Sequence, residues 1–121
     1  MGQIELTDTE KAILIALSKN LDGRRINEIL EETGLSKATF MRRVKRLIEL
    51  GLVTKEIRAN EGYPPPVYYK LTEKSHKIAL KLTLRNAVKK LEFVSKLPTL
   101  TDEEKKMLNE IIKKLERYEG L

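Results

Sequence analysis

The sequence predicts a mainly α fold with one small β-hairpin followed by two C-terminal helices, and three observations carry that prediction. Helix-start signatures recur at Thr7, Ser36 and Thr101, each ahead of apolar residues spaced for one helix face. Residues 52–57 and 67–71 instead show β-branched and alternating patterning on either side of a turn. The length of 121 residues, 40% of them hydrophobic with six aromatics and no Trp, fits one domain plus an appendage, its core built of Ile, Leu and Val.

Each element follows from local chemistry. Thr7 and Glu10 stand at the spacing at which each side chain satisfies an unpaired backbone N–H near the other, so a helix opens there. Ile13, Leu14, Ala16, Leu17 and Leu21 mark this helix for burial until Asn20 and the Asp22-Gly23 turn end it. A shorter helix is expected from Asn27 to Thr33, with Ile26, Ile29 and Leu30 inward and Gly34 as its stop. Ser36 caps a third helix that continues to Leu50, where Gly51 closes it. Leu52 to Ile57 and Val67 to Leu71 pair around Asn60-Glu61-Gly62, and Pro64, Pro65 and Pro66, which donate no ladder hydrogen bonds, belong to the loop. Tyr68 and Tyr69 point to opposite faces of the second strand, one to the core and the other toward the C-terminal helices. A long helix from Thr72-Glu73 to Leu97 breaks at Pro98, and Thr101 with Glu104 opens the last one, with Met107, Leu108, Ile111, Ile112, Leu115 and Tyr118 on one face.

Lys and Arg number 24 against 18 Asp and Glu, a net charge of +6. The excess is local: residues 1–33 are net −3, 34–58 net +5, 59–100 net +5 and 101–121 net −1. A positive block confined to the middle of a chain is the footprint of a polyanionic partner. The absence of Cys excludes disulfides, thiolate metal centres and Cys nucleophiles and suits a reducing cytoplasmic location. The N-terminus lacks the basic and apolar blocks of a signal peptide, and no run approaches the roughly 18 apolar residues of a spanning helix, so no membrane partner is expected. His76 stands alone as the one histidine, and no phosphate loop, nucleophile motif or paired carboxylates accompany it. No enzyme, metal or cofactor is expected from this pattern.

Two helices joined by a tight glycine turn, the second basic, followed by a hairpin, form the sequence order of a winged helix-turn-helix. The residues are Ile26, Ile29 and Leu30, then Gly34-Leu35-Ser36, then Phe40, Val44, Leu47 and Gly51-Leu52-Val53. In this the chain resembles transcription regulators of the MarR, ArsR and PadR class, including those of archaeal type. Tyr69-Lys70-Leu71-Thr72-Glu73-Lys74 is similar to the segment that closes the wing in several of these families. The resemblance spans about residues 6 to 75. The sequence departs from these relatives at Ser75, where Gly is common, and at Tyr63-Pro64-Pro65, where Gly-Arg-Pro is common. The resemblance implies a domain over residues 1–72 that binds double-stranded DNA, and the helical segment 73–121 is expected to be a dimerisation region for a second copy of the chain, on the spacing described below.

On a helical wheel, residues 36–50 place Phe40, Val44, Leu47 and, at its edge, Ile48 on one stripe, with Ala38, Arg42, Lys45 and Glu49 opposite. A helix entering a major groove needs this division: an apolar anchor behind, small residues near its N-terminus, and cations one turn apart. Ser36 and Lys37 sit where a helix N-terminus binds phosphate. Arg42 is the candidate for base readout, with Thr39 and Met41 beside it, while Arg43, Lys45 and Arg46 are candidates for phosphate. The wing, about residues 58–67, adds Arg58 and Tyr63, with Lys55 on the strand before it. A solvated basic face would carry the same charges; the preceding turn and following hairpin set this helix apart.

Leu80, Leu84, Ala87, Leu91 and Val94 repeat at spacings of four and three, and Leu108, Ile111, Leu115 and Tyr118 continue the rhythm in the last helix. Such seams suit a second helix pair, so a homodimer is expected, and folding back on the same chain is the alternative. Lys74, Lys77, Lys81, Arg85, Lys89 and Lys90 then face outward to DNA or solvent. Two further function classes fit the fold: a protein-interaction module, and a weakly specific DNA-packaging protein. The basic outward surface of residues 38–46 favours nucleic acid over protein.

Overall fold

In the computed structural model, residues 5–119 are described. The chain divides into two compact units, Met1–Ala79 and Leu80–Leu121. The first contains α1 (Asp8–Ser18), β1 (Arg24–Arg25), α2 (Ile26–Thr33), α3 (Lys37–Glu49), β2 (Val53–Ile57), β3 (Val67–Leu71) and the first residues of α4 (Glu73–Ser95); α5 (Asp102–Glu119) lies in the second.

The expected capping box is present: Glu10 Oε1 accepts from the Thr7 N–H at 2.8 Å, and Thr7 Oγ1 accepts from the Glu10 N–H at 3.1 Å. Because α1 ends at Ser18, Leu21 falls in the following turn and is 53% exposed, against the expectation of burial. Gly34 closes α2 with φ +72°, a left-handed conformation that costs glycine least, and its N–H bonds the Leu30 carbonyl. This turn directs the chain into Ser36, whose hydroxyl accepts from the Thr39 N–H at 3.2 Å and opens α3.

The hairpin is part of a larger sheet. Arg24 and Arg25 pair antiparallel with Tyr69 and Tyr68, giving three strands in the order β1-β3-β2. Close approach at Gly23 permits this, since a Cβ there would lie 3.2 Å from the Tyr68 Cβ. The β2–β3 register runs from Val53 opposite Leu71 to Ile57 opposite Val67, with Ala59–Glu61 as a single 3-10 turn and the three prolines in the loop beyond it. Ile13, Leu14, Leu17, Ile29, Phe40, Leu47, Leu52 and Val53 form the core between the helices and one sheet face. Tyr69 joins it edge-on against Phe40, ring centroids 5.2 Å apart. Tyr68, on the other face, lies under the Arg58 guanidinium, 3.7 Å from ring centroid to Cζ.

The C-terminal end of α3 is clamped. Thr72 Oγ1 donates to the Gly51 carbonyl at 2.7 Å and Lys74 Nζ to the Leu50 carbonyl at 3.2 Å, so Lys74 satisfies a helix end rather than facing solvent alone. Ser75 is fully buried and donates to the Thr72 carbonyl, which accounts for a small residue at that position.

In the second unit, Thr101 and Glu104 form the expected reciprocal pair at the start of α5. Among the described residues of this unit, Val88 and Ile112 are buried. Val88 lies one position beyond Ala87 of the expected seam, while Leu80, Ile111 and Tyr118 are exposed and Leu84, Ala87, Leu91, Val94, Leu108 and Leu115 half-buried. No helix among the described residues is long and apolar enough to cross a membrane.

Candidate nucleic-acid interface

The candidate interface is built on α3. Phe40, Val44 and Leu47 are buried at successive turns and fix the helix to the core, which turns Lys37, Ala38, Met41, Arg42 and Lys45 to the exposed side. No acidic residue occupies the first turn. The partial positive charge of the helix N-terminus and the exposed Lys37 thus belong to the same end of α3, an arrangement suited to a phosphate oxygen. Ser36 is exposed at the same end, with its hydroxyl committed to Thr39 as acceptor from the N–H and as donor to Oγ1 at 2.9 Å.

Other sequence-predicted residues stand elsewhere. Arg46 turns toward α1: its Nη1 donates to Glu10 Oε1 at 2.6 Å and its Nη2 to the Glu5 carbonyl at 3.1 Å. Arg43 is half-buried, with an Nε that has no hydrogen-bond partner among the described residues. In the wing, Arg58 Nε donates to Glu56 Oε1 at 2.6 Å, its Nη2 donates to the Asp22 carbonyl, and Glu61 lies within 3.7 Å. Its charge is balanced within the sheet, and the hydrogen bond from Arg58 holds the Glu56 carboxyl below its ordinary pKa. Lys55 and Tyr63 remain exposed, Tyr63 at 96%.

Two residues outside the predicted set organise this surface. Glu10 is fully buried. Burial opposes its ionisation, but hydrogen bonds from Thr7 and Arg46 and the Arg46 charge outweigh that and hold its pKa below the usual 4.5. Its place on the same α1 face as Ile13, Leu14 and Leu17 was the sequence signal for burial; the capping box had accounted for it otherwise. The second is Tyr69, whose hydroxyl donates to Met41 Sδ at 3.9 Å. Met41, Val44, Ile48 and Tyr69, together with Lys45, Glu49 and Lys55, line an open groove of about 240 Å3. Among the described residues no three His, Cys, Asp or Glu side chains converge to hold a metal ion, and His76 is exposed.

Residues 4–62 match the profile of the MarR family. Comparison with curated proteins finds no match. Among solved structures, the chain is similar to Lactococcus lactis ZitR, described as a zinc-responsive MarR family member, at 24% identity and a TM-score of 0.65, covering 97% of this chain and 78% of that one. A ZitR structure in complex with DNA gives 23% identity and a TM-score of 0.63 over 97% and 77%. The adhesin competence repressor AdcR from Streptococcus pyogenes gives 19% identity and a TM-score of 0.71 over 97% and 83%. At these identities the likeness is one of fold: five helices and a small antiparallel sheet in winged-helix order.

Proposed function

We propose that this chain, whose residues 4–62 match the MarR family profile, is a winged helix-turn-helix regulator that controls transcription as a homodimer, with α3 in the major groove of operator DNA and the β2–β3 wing alongside. MarR-type proteins are DNA-binding regulators, not enzymes. One observation carries the finer reading: α3 is anchored by Phe40, Val44 and Leu47 while Lys37, Ala38, Arg42 and Lys45 share its exposed side. In this reading Ser36 and Lys37 position the helix on phosphate, Arg42 reads guanine through its paired donors, and Lys45 and Lys55 hold the backbone. Thr39 and Arg43 flank this contact surface. Arg46 and Arg58 contribute by holding α1 and the wing, and Tyr63 extends the wing tip.

The second unit supports the dimer. Exposed Leu80, Ile111 and Tyr118, continuing the half-buried Leu84, Ala87, Leu91, Val94, Leu108 and Leu115, offer apolar surface that a second copy would remove from water. We accordingly assign DNA binding to residues 1–72 and dimerisation to 73–121.

Enrichment of binding sites from random duplexes tests the reading. The expected product is an inverted repeat with half-sites about 34 Å apart. Arg42→Ala is expected to weaken the selected site by about 1–3 kcal/mol and random DNA little. Equal affinity for every duplex across a salt series would favour a packaging role, and no binding at all would favour a protein-interaction module.

A further inference from the structure

We propose that Met41 determines sequence specificity by contacting the C5-methyl group of a thymine in the major groove, and that Tyr69 is the positioning residue that holds it there. The inference rests on the DNA-binding reading above and names what one residue of that surface recognises.

Met41 is a large apolar side chain, 41% exposed, on the same side of α3 as Lys37, Arg42 and Lys45. The core does not need it there, since Phe40, Val44 and Leu47 already fill the inward stripe. An apolar group that enters a major groove finds one apolar counterpart on the base edges, the methyl of thymine, and every other exposed base atom there is a donor, an acceptor or a ring carbon. Burial of the two against each other is favourable, whereas placing Met41 against a cytosine amino group strands a donor.

A free methionine makes a poor reader, because three rotatable bonds must be fixed on binding. Here the hydroxyl of Tyr69 donates to Met41 Sδ at 3.9 Å, and Tyr69 is itself 4% exposed and held edge-on by Phe40. Tyr69 on the central strand thus gives the sulfur a weak polar partner while the side chain keeps accessible surface. Ala38, one turn earlier, is exposed and small, which leaves space for a base edge to approach. Lys45 and Lys55 line the same groove as Met41 and suit the phosphates that would flank that base.

The test uses the full-length chain and the duplex enriched from a random pool, with each thymine replaced in turn by deoxyuridine, a change that removes the methyl alone. Wild type is expected to lose about fourfold in affinity at one thymine per half-site, the equivalent of one buried methyl group. Met41→Ala is expected to bind the thymine duplex more weakly by a similar factor and to be indifferent to uracil at that position. Tyr69→Phe keeps the ring against Phe40 without the hydroxyl; it should fold as wild type and discriminate thymine from uracil less well. If no thymine is sensitive, or if the sensitivity persists in Met41→Ala, the assignment of Met41 is overturned while regulation by DNA binding stands. If no sequence is enriched at all, the DNA-binding reading fails and this inference with it.

Discussion

Replacing Arg46 by Met separates two roles that the sequence leaves superimposed. As a cation near the end of a recognition helix, Arg46 reads as a phosphate contact; in the fold it is the partner of a fully buried carboxylate. Glu10 Oε1 receives Arg46 Nη1 at 2.6 Å and the Thr7 N–H at 2.8 Å, and Oε2 has no partner among the described residues. Breaking a buried pair by removing one member costs about 3–5 kcal/mol, and exposed pairs are worth about 1 or less. Glu10 is inaccessible while the Arg46 side chain is 42% exposed, so water screens one end, and we place the loss at about 2–3 kcal/mol. In urea that lowers the unfolding midpoint by roughly 1–2 M. Glu10→Gln in the Arg46→Met background removes the stranded charge and should recover part of the loss. The same variants are then titrated with DNA across a salt series. Arg46→Met should leave the slope of log affinity against log salt unchanged, whereas Lys37→Ala should reduce it by about one unit and leave the urea midpoint where it was. A wild-type midpoint for Arg46→Met, together with a reduced salt slope, would refute the argument and return Arg46 to the phosphate backbone.

Phe40→Ala should cost about 3–5 kcal/mol in chemical denaturation, because Phe40 is fully buried and supports the Tyr69 ring; a melting temperature equal to wild type would mean that the helix is anchored elsewhere. Glu10 also sets part of the acid limb of stability: its folded pKa lies below 4.5, so its contribution is complete above that value and is lost as pH falls toward the folded pKa, where the unfolded chain binds the proton first. Glu10→Gln should flatten that part of the stability profile below pH 4.5, and an unaltered acid slope would show that the carboxylate is not held as described. Leu80→Glu combined with Leu91→Glu should convert the full-length chain to a monomer in sedimentation at micromolar concentration, with affinity for an inverted repeat falling to that of a single half-site. A variant that still sediments as a dimer would place the interface off this seam.

What is local in origin was legible without the fold. Thr7 with Glu10, Ser36 and Thr101 with Glu104 announce helix starts because a capping side chain bonds a backbone group two or three residues away, and Gly34 announces a stop through its own dihedral freedom. The alternation of Val67 to Leu71 sends Tyr68 and Tyr69 to opposite faces by the pleat of the strand alone, and the fold decided that Tyr69 is the inward one. The order of these elements is enough to specify a winged helix-turn-helix and the basic exposed side of α3. Tertiary structure decided the rest, because it concerns residues distant in sequence. Arg24 and Arg25 are too short a run to read as a strand, and become one only where β3 supplies a ladder to pair with. Arg46 finds its acceptor in Glu10, 36 residues away, so its sequence neighbourhood shows the charge and conceals the partner, and Arg58 adds the equally distant Asp22 carbonyl to its near neighbours Glu56 and Glu61. Met41 looked like one more flank of a helix until the sheet brought the Tyr69 hydroxyl to its sulfur across 28 residues. Side-chain periodicity reports which face of an element is apolar; which charged or polar group meets it depends on the packing of whole elements, and that is where the geometry of this surface was fixed.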